Sequence, residues 1–214
     1  AMFRALVGIG VLCALAIVLV YEATRPIIRR NKLDMLRRAV TEVLPGATSS
    51  AAFQLTADGR FEPAPADGGG DLVFAGYDDA GHLVGLAITA RGMGYQDVVQ
   101  ILYGYSFETQ SVLGISVLES RETPGLGDRI ETDPDFLRNF GSLDVSLNPD
   151  GSAVAHPIEF VKRGAKDAAW QIDGITGATV TSQATAEMLR LSTTQWIPRV
   201  HLRKADFTPA PGRR

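Results

Sequence analysis

The sequence predicts an α+β protein in which one N-terminal transmembrane helix precedes an antiparallel-sheet domain with flanking helices. Three observations predict it: an uncharged apolar run at residues 5–21, closely spaced strand-like segments between residues 71 and 120, and helical periodicity on both sides of that region. The chain has 214 residues, 45% of them hydrophobic, and a formal net charge of -3. These values suit one globular domain plus a small additional element.

The first element is the run ALVGIGVLCALAIVLVY at residues 5–21. Its length lies at the short end of the ~17 to 25 residues that a membrane helix needs. A buried core helix and a secretory signal are the alternatives. The residues around Tyr21 lack the small-x-small pattern of a signal cleavage site. The sequence therefore favours a transmembrane anchor over residues 1–25.

The charges that flank this run leave its orientation open. Arg4 precedes the run, whereas six basic residues follow it closely: Arg25, Arg29, Arg30, Lys32, Arg37 and Arg38. A simple count of positive charges places the globular domain in the cytoplasm. That count is weakened because the chain opens with Ala1 rather than a start methionine, and because large C-terminal domains are translocated with limited regard to charge.

A juxtamembrane helix over residues 26–45 is the next predicted element, and the tripeptide LPG ends it. Its apolar stripe consists of Leu33, Leu36, Val40 and Val43. The globular domain then covers residues 46–200, with a C-terminal tail over 201–214. A linker of low order begins this domain, and the Pro-, Gly- and Asp-rich segment 57–70 predicts a surface loop.

The sheet is predicted from four runs, which begin at Asp71, His82, Val98 and Ser111. Short turns join them, and this spacing indicates an antiparallel meander rather than a parallel sheet with crossover helices.

Three elements follow the meander. Asp133 and Pro134 predict the start of a short helix that carries aromatic residues toward the core. A further strand is predicted in HPIEFVKR, at residues 156–163. The final helix begins near Thr181, with a predicted buried face of Ala184, Met188, Leu191 and Gln195.

Composition excludes several function classes. The basic residues are dispersed and the sequence pI is near 5.6, so the chain has no feature of a nucleic-acid-binding protein. Cys13 is the single cysteine, which excludes a disulfide framework and a cysteine metal site. The three histidines are far apart and show no metal-ligand spacing. We therefore predict no metal site.

The motif DGITGAT, from Asp173 to Thr179, ends in a hydroxyl at the start of the final helix. A helix start offers unpaired N–H groups and the positive end of the backbone dipole, which together stabilise a phosphate. Gly177 and Ala178 keep the approach open. The alternative is that a Thr in this position is only a helix cap.

Two loops between the strands contain closely spaced glycines. RGMGYQD, at residues 91–97, has a Gly-x-Gly but neither the third glycine nor the helix of a dinucleotide site, so it predicts a bend. In ETPGLG, at 122–127, Pro124 holds the preceding residue extended, and the two glycines allow positive φ and close backbone approach. Such a loop can offer N–H groups to a flat ring, although an isolated Pro-Gly turn is the simpler alternative.

Taken in order, GMGY, ETPGLGDRI, DFLRNF and DGITGATVTS resemble the FMN-binding domain of RnfG, also called RsxG, the G subunit of the Rnf electron-transport complex. The C subunit of sodium-pumping NADH:quinone reductase shares this domain. The resemblance covers nearly the whole chain, and the length fits RnfG better than that C subunit. One departure is that Ser120 and Arg121 precede ETPGLG, where RnfG-like chains often have His.

The resemblance implies the cofactor site. In the family the last Thr of the motif carries FMN through a phosphoester, and that position is Thr179 here. The other implied cofactor-binding residues are Thr176, Gly177, Ala178, Val180, Thr181, Glu122, Thr123, Gly125, Leu126 and Tyr95. Thr176 is expected to help recognition of the motif, Thr181 to cap the helix, and Ser182 to be a weaker acceptor.

Two further expectations concern the surroundings of this site. Asp173 is expected to be read by the FAD-dependent FMN transferase that attaches the flavin. Tyr95 and Trp170 are candidate stacking neighbours of the flavin or, equally, core aromatics.

The resemblance also implies the function: one-electron relay by covalent FMN within a complex that couples ferredoxin and NAD redox chemistry to ion movement. The chain would be a redox subunit that is not catalytic alone, with integral membrane and iron-sulfur or flavin subunits as partners. Its domain would lie on the periplasmic side of the bacterial inner membrane. The alternatives are a component like the C subunit of the sodium-pumping reductase, a stand-alone extracytoplasmic flavin carrier, and a non-redox assembly subunit.

Overall fold

The computed structural model describes residues 2–66, 68 and 71–208, which divide into two compact units, Ala1–Leu36 and Arg37–Arg214. Parts of the predicted loop 57–70 and of the predicted tail 201–214 lie outside the described residues, as does Ala1. The predicted boundaries at residues 25, 45 and 200 stay predictions.

A single helix, α1, covers Met2–Val43 and contains Pro26. The structure therefore joins the predicted anchor and the predicted juxtamembrane helix in one helix, although Pro26 has no N–H to donate within it. Large apolar side chains between residues 2 and 21 are exposed. Within the part of the chain that the structure describes, α1 is the one helix long and apolar enough to span a membrane.

The main sheet of the described residues has seven strands, all paired antiparallel, in the order β2-β1-β3-β4-β5-β6-β7. The strands are β1 Ser49–Leu55, β2 Phe61–Pro63, β3 Leu72–Tyr77, β4 Leu83–Met93, β5 Val98–Ser106, β6 Ser111–Glu119 and β7 Leu143–Asp144. The predicted meander is confirmed as β3 to β6.

The first two strands correct the prediction of a linker and a loop before residue 71. β1 pairs with β3, and β2 extends the sheet from β1. The sequence of β1, SSAAFQL, has few large apolar residues, so its strand signal is weak even though Ala52 and Phe53 are buried. Pairing with β3, rather than local sequence preference, makes this segment a strand.

The end of α1 packs on one face of the sheet because a row of glycines crosses four adjacent strands there. These residues are Gly76, Gly85, Gly104 and Gly114. A Cβ atom at Gly104 would lie 1.8 Å from the carbonyl oxygen of Val43, and one at Gly85 would lie 2.9 Å from Cδ2 of Leu44. Glycine therefore lets the last turn of α1 lie directly on the sheet.

The opposite face of the sheet carries the long C-terminal helix α3, Thr179–Leu202. Tyr103 lies next to Gly104 on β5 and points to the other side, where its hydroxyl is 3.0 Å from Oγ of Ser192. The predicted face of α3 is confirmed only at Met188, because Leu191 and Gln195 are exposed and Ala184 is half-buried.

The buried face of α3 was missed because much of it is hydroxylic. Its residues are Thr181, Ser182, Thr185, Ala186, Met188, Leu189, Ser192, Thr193, Trp196, Ile197 and Val200. Thr185 and Thr193 donate hydrogen bonds to the helix carbonyls of Thr181 and Leu189, at 2.9 and 2.8 Å. Such internal bonds allow polar side chains to be buried, so a count of apolar residues does not find this face.

The remaining elements place the DGITGAT motif. Helix α2 covers Pro134–Leu137, and Asp133 caps it as predicted. Strand β8, Glu159–Val161, confirms the predicted strand but pairs in parallel with β9, Gln171–Asp173. The motif therefore begins at the last residue of β9 and ends at the first residue of α3.

Candidate functional site

The segment between β9 and α3 is a tight turn with an exposed tip. The N–H of Ala178 donates to the carbonyl of Ile175 at 3.1 Å, and the N–H of Ser182 donates to the carbonyl of Ala178 at 3.0 Å. Ala178 is the N-cap, with no side chain capping the helix. The N–H groups of the first helical residues, Thr179 to Thr181, therefore precede the first intrahelical donor and are directed out of the helix end.

The hydroxyl groups of this segment differ sharply in exposure. Thr179 and Thr176 are exposed, whereas Thr181 and Ser182 are only 1% and 0% exposed. Oγ of Ser182 donates to the carbonyl of Ala178 at 2.5 Å and accepts from the N–H of Ile175 at 3.2 Å. The Thr179 hydroxyl has only a long contact, 3.5 Å to the carbonyl of Ile175. Thr179 is thus the accessible hydroxyl of the first helical turn.

Thr181 is not the helix cap that the sequence predicts. Its hydroxyl donates to Oε2 of Glu122 at 2.6 Å, and both side chains are buried. The α3 helix already begins at Thr179, two residues earlier than predicted, so Thr181 lies within its first turn. Its position lets it face Glu122 instead of the helix end.

Two polar side chains from the segment 129–139 hold the motif in place. Asn139 pairs with both backbone groups of Asp173: it accepts from the N–H at 3.1 Å and donates to the carbonyl at 3.2 Å. Arg129 donates to the carbonyl of Thr176 at 2.9 Å and to Oδ2 of Asp133 at 2.7 Å. Sequence reasoning assigned neither residue a role, although Arg129 belongs to ETPGLGDRI and Asn139 to DFLRNF.

The carboxylate of Asp173 also has a local partner. It accepts hydrogen bonds from the N–H groups of Gly164 and Ala165, at 2.9 and 3.3 Å. Asp173 therefore fixes the turn that follows β8. Its recognition by a transferase stays a prediction.

Glu122 lies at the centre of a second polar cluster. Oε1 accepts from the N–H groups of Gln96 and Asp97, at 2.9 and 3.3 Å. Oε2 accepts from the N–H of Tyr95 at 3.2 Å and from the hydroxyl of Thr181. We call these five residues the Glu122 cluster. It joins the loop after β4, the ETPGLG loop and the first turn of α3.

The protonation of Glu122 follows from these contacts. Burial raises the pKa of its carboxyl group, but the hydrogen bonds from Thr181 and from the backbone of Gln96, Asp97 and Tyr95 outweigh burial and hold the pKa below its usual value. Glu122 is therefore ionised at neutral pH. Its carboxylate is saturated by donors of the protein itself.

The glycines of ETPGLG serve two different purposes. Gly125 adopts a φ of 79°, and Leu126 N–H donates to the Thr123 carbonyl at 3.1 Å to close the turn. A Cβ atom at Gly127 would lie 2.2 Å from Oε2 of Glu122 and 2.9 Å from Oγ1 of Thr181. The first glycine is required by the turn, and the second by the close approach of the carboxylate.

The loop after β4, the ETPGLG loop and the first turn of α3 each carry an exposed apolar side chain. Tyr95, Val180 and Leu126 are 70%, 53% and 50% exposed. Tyr95 is therefore not a core aromatic. Trp170 instead stacks on His156, with ring centroids 4.0 Å apart and an interplanar angle of 15°.

The arrangement fits FMN in its chemical features. An exposed hydroxyl stands at a helix start whose N–H groups lack a side-chain cap, which suits a phosphoester. Exposed apolar groups and a glycine turn stand nearby, which suits the face of a flat ring. The structure brings Tyr95, Glu122 and Thr181 into one cluster.

Comparisons with known proteins agree with this arrangement. The family model described as FMN-binding domain matches residues 94–192. The G subunit of the ion-translocating oxidoreductase complex of Methanosarcina acetivorans is 29% identical over 189 residues, which are 86% of this chain and 87% of that protein. The corresponding G subunit of Erwinia tasmaniensis is 35% identical over 123 residues, which are 57% of this chain and 53%, about half, of that relative.

Two solved structures share the fold. The crystal structure of Shewanella oneidensis NqrC has a TM-score of 0.66 and 19% sequence identity, and the match covers 82% of this chain and 99% of that one. The C subunit of the Na(+)-translocating NADH-quinone reductase from Parabacteroides distasonis has a TM-score of 0.60 and 18% identity, with 86% and 97% covered. The antiparallel sheet with its C-terminal helix is thus a shared architecture.

Proposed function

We propose that this chain, which matches the FMN-binding domain model and is similar to G subunits of ion-translocating oxidoreductase complexes, is such a subunit, that it carries FMN covalently on Thr179, and that it relays electrons within the complex. It is a redox subunit of the complex and is not catalytic alone.

The single observation that carries this proposal is the difference in exposure among the hydroxyls of the motif. A transferase must reach the acceptor oxygen, and Thr181 and Ser182 are buried with their hydroxyls engaged. Thr179 offers an exposed hydroxyl at the start of α3. Thr176 is also exposed, but it stands outside the helix and its carbonyl is held by Arg129.

The attachment step is a phosphoryl transfer from FAD. The Thr179 oxygen forms a bond to the phosphorus of the FMN half while the bond to AMP breaks, and the hydroxyl proton leaves with AMP. The N–H groups at the start of α3 stabilise the phosphoester charge that remains. The ETPGLG loop and Tyr95 would hold the ring, and FMN would supply the electron-transfer chemistry when it is bound.

A covalent bond retains the flavin, so the contacts of its ring need not be tight. Tethering makes rebinding intramolecular at an effective concentration of ~1 mM, so a pocket with a Kd of ~10 μM stays about 99% filled. The exposed, shallow setting of Tyr95, Leu126 and Val180 is consistent with such weak contacts.

We further propose that α1 anchors the chain as a single-pass helix, with the globular domain on the periplasmic side and membrane subunits as partners. The exposed apolar side chains of residues 2–21 support the anchor. A reporter that is active only in the cytoplasm, fused to the C-terminus, tests the side. We expect no activity, and strong activity would contradict the periplasmic placement.

The attachment is tested by ultraviolet illumination of a denaturing gel after co-expression with a flavin transferase. The wild-type chain should give a fluorescent band, and Thr179→Val should give none, because valine keeps the shape of threonine without its oxygen. Thr194→Val, an exposed threonine on the same helix, is the matched control and should keep the band. Thr181→Ala should keep it as well.

Two results would overturn the proposal. Fluorescence that persists in Thr179→Val would show that the acceptor is another residue. A non-fluorescent band from a fully folded wild-type chain that was co-expressed with the transferase would instead favour an assembly subunit without covalent flavin.

A further inference from the structure

The buried Glu122 carboxylate has a role that flavin attachment does not require. The four groups that reach its two oxygens, three backbone N–H groups and the Thr181 hydroxyl, all donate a hydrogen bond. A carboxylate can accept all of them, whereas an amide side chain of the same size has one acceptor oxygen and would direct its NH2 group at a donor. The cluster is therefore built for an ionised Glu.

The carboxylate packs closely against two glycines. A Cβ atom at Gly94 would lie 2.6 Å from Oε1 of Glu122, and one at Gly127 would lie 2.2 Å from Oε2. Glycines thus enclose the carboxylate from two sides. The N–H groups of Tyr95, Gln96 and Asp97 all donate to Glu122, so this one side chain satisfies three consecutive backbone donors of the loop that carries Tyr95.

We infer that Glu122 is a positioning residue, which holds the loop 94–97 against the first turn of α3 and so sets the spacing of Tyr95, Leu126 and Val180 around Thr179. Tyr95 is a member of the Glu122 cluster. Leu126 stands next to Gly127 and Val180 stands next to Thr181, and both of these neighbours contact Glu122. This inference rests on the proposed function, because the surface that Glu122 holds in place is the one proposed to contact the flavin ring.

Backbone amide exchange measures the role of Glu122 directly, without any flavin. In a chain that carries Thr179→Ala, the amide protons of Tyr95, Gln96 and Asp97 should be protected. Glu122→Gln in that background should speed the exchange of at least one of them by about tenfold or more, because a hydrogen bond to a charged group is lost. The core amides of β5, such as those of Ile101 and Tyr103, report on the global fold, and Glu122→Gln should speed their exchange less than it speeds the exchange of the loop amides.

Glu119→Gln is the matched control, since Glu119 is an exposed carboxylate three residues upstream. It should leave all three amides protected. Unchanged exchange at residues 95–97 in Glu122→Gln would overturn the inference. If that chain fails to fold, Thr181→Val decides, since it removes one donor only: we expect several-fold faster exchange at Tyr95, and no change would overturn the inference.

A second measurement concerns the flavinylated chain. With Glu122→Gln, the polarised fluorescence of the attached flavin should show a more mobile ring, although the denaturing gel still shows the covalent band. A ring as immobile as in the wild-type chain would contradict the positioning role. A missing band in the wild-type chain would instead count against the proposed function, while the amide result would stand.

Discussion

Glu122 makes the response of the site to acid predictable. Its pKa is held below the ordinary 4.5 in the folded chain, so the unfolded chain binds more protons as the pH falls. The stabilisation from Glu122 is therefore complete above about pH 5 and is lost as the pH falls through the lower, folded-state pKa. We expect the difference in unfolding free energy between wild type and Glu122→Gln to be constant from about pH 6 to 8 and to shrink in acid. Denaturant titrations at several pH values measure it, and a difference that grew in acid would contradict this account.

For individual residues, the sequence predicted which positions belong to the candidate site better than it predicted what each side chain does there. The resemblance selected Thr179 and Glu122, and the structure places the first on the surface and the second in a buried cluster. It assigned no role to Arg129 or Asn139, although both lie in its motifs, because these side chains act on backbone atoms of residues far away in the chain. Such contacts depend on the fold and leave no local pattern.

At the scale of elements, the contact between the end of α1 and the sheet depends on the glycine row. Gly104→Ala should destabilise the globular unit by about 1–3 kcal/mol, because its Cβ would overlap the Val43 carbonyl. The matched control is Gly114→Ala, whose Cβ would lie 3.7 Å from Cα of Val43, an ordinary contact. Thermal unfolding should show a Tm lower by roughly 2–4 °C per kcal/mol for the first variant and little change for the second. Equal effects of the two substitutions would contradict the packing account.

Elements with a strong periodic signal were predicted well and elements held by tertiary contacts were not. β3 to β6 are rich in Val, Ile, Leu and Tyr and were found, whereas β1 exists through its pairing with β3. β8 was predicted, but β9 and its parallel pairing with β8 were missed, since the pairing joins segments that are separated in the chain. The buried face of α3 was misplaced because Thr and Ser form it, and their hydroxyls bond within the helix.

At the scale of the whole molecule, the separation into two compact units predicts the effect of removing the first. A chain that begins at Arg37 keeps Val40, Val43 and Leu44, which are buried in the second unit. We expect this chain to remain in the supernatant after membranes are sedimented and to unfold at the same temperature as the full chain. The full chain should sediment with membranes. A truncated chain that still sedimented with membranes, or that unfolded at a clearly lower temperature, would contradict the assignment of residues 1–36 as a separate anchor.

The central claim is that FMN is bonded to Thr179, and peptide mass spectrometry tests it most directly. Trypsin cleavage after Lys166 and Arg190 releases one peptide that contains Thr176, Thr179, Thr181 and Ser182. From the flavinylated wild-type chain, this peptide should be heavier by one FMN less one water, and fragmentation should place the added mass on Thr179. An unmodified peptide from a fluorescent chain, or added mass on Thr176, Thr181 or Ser182, would contradict the claim.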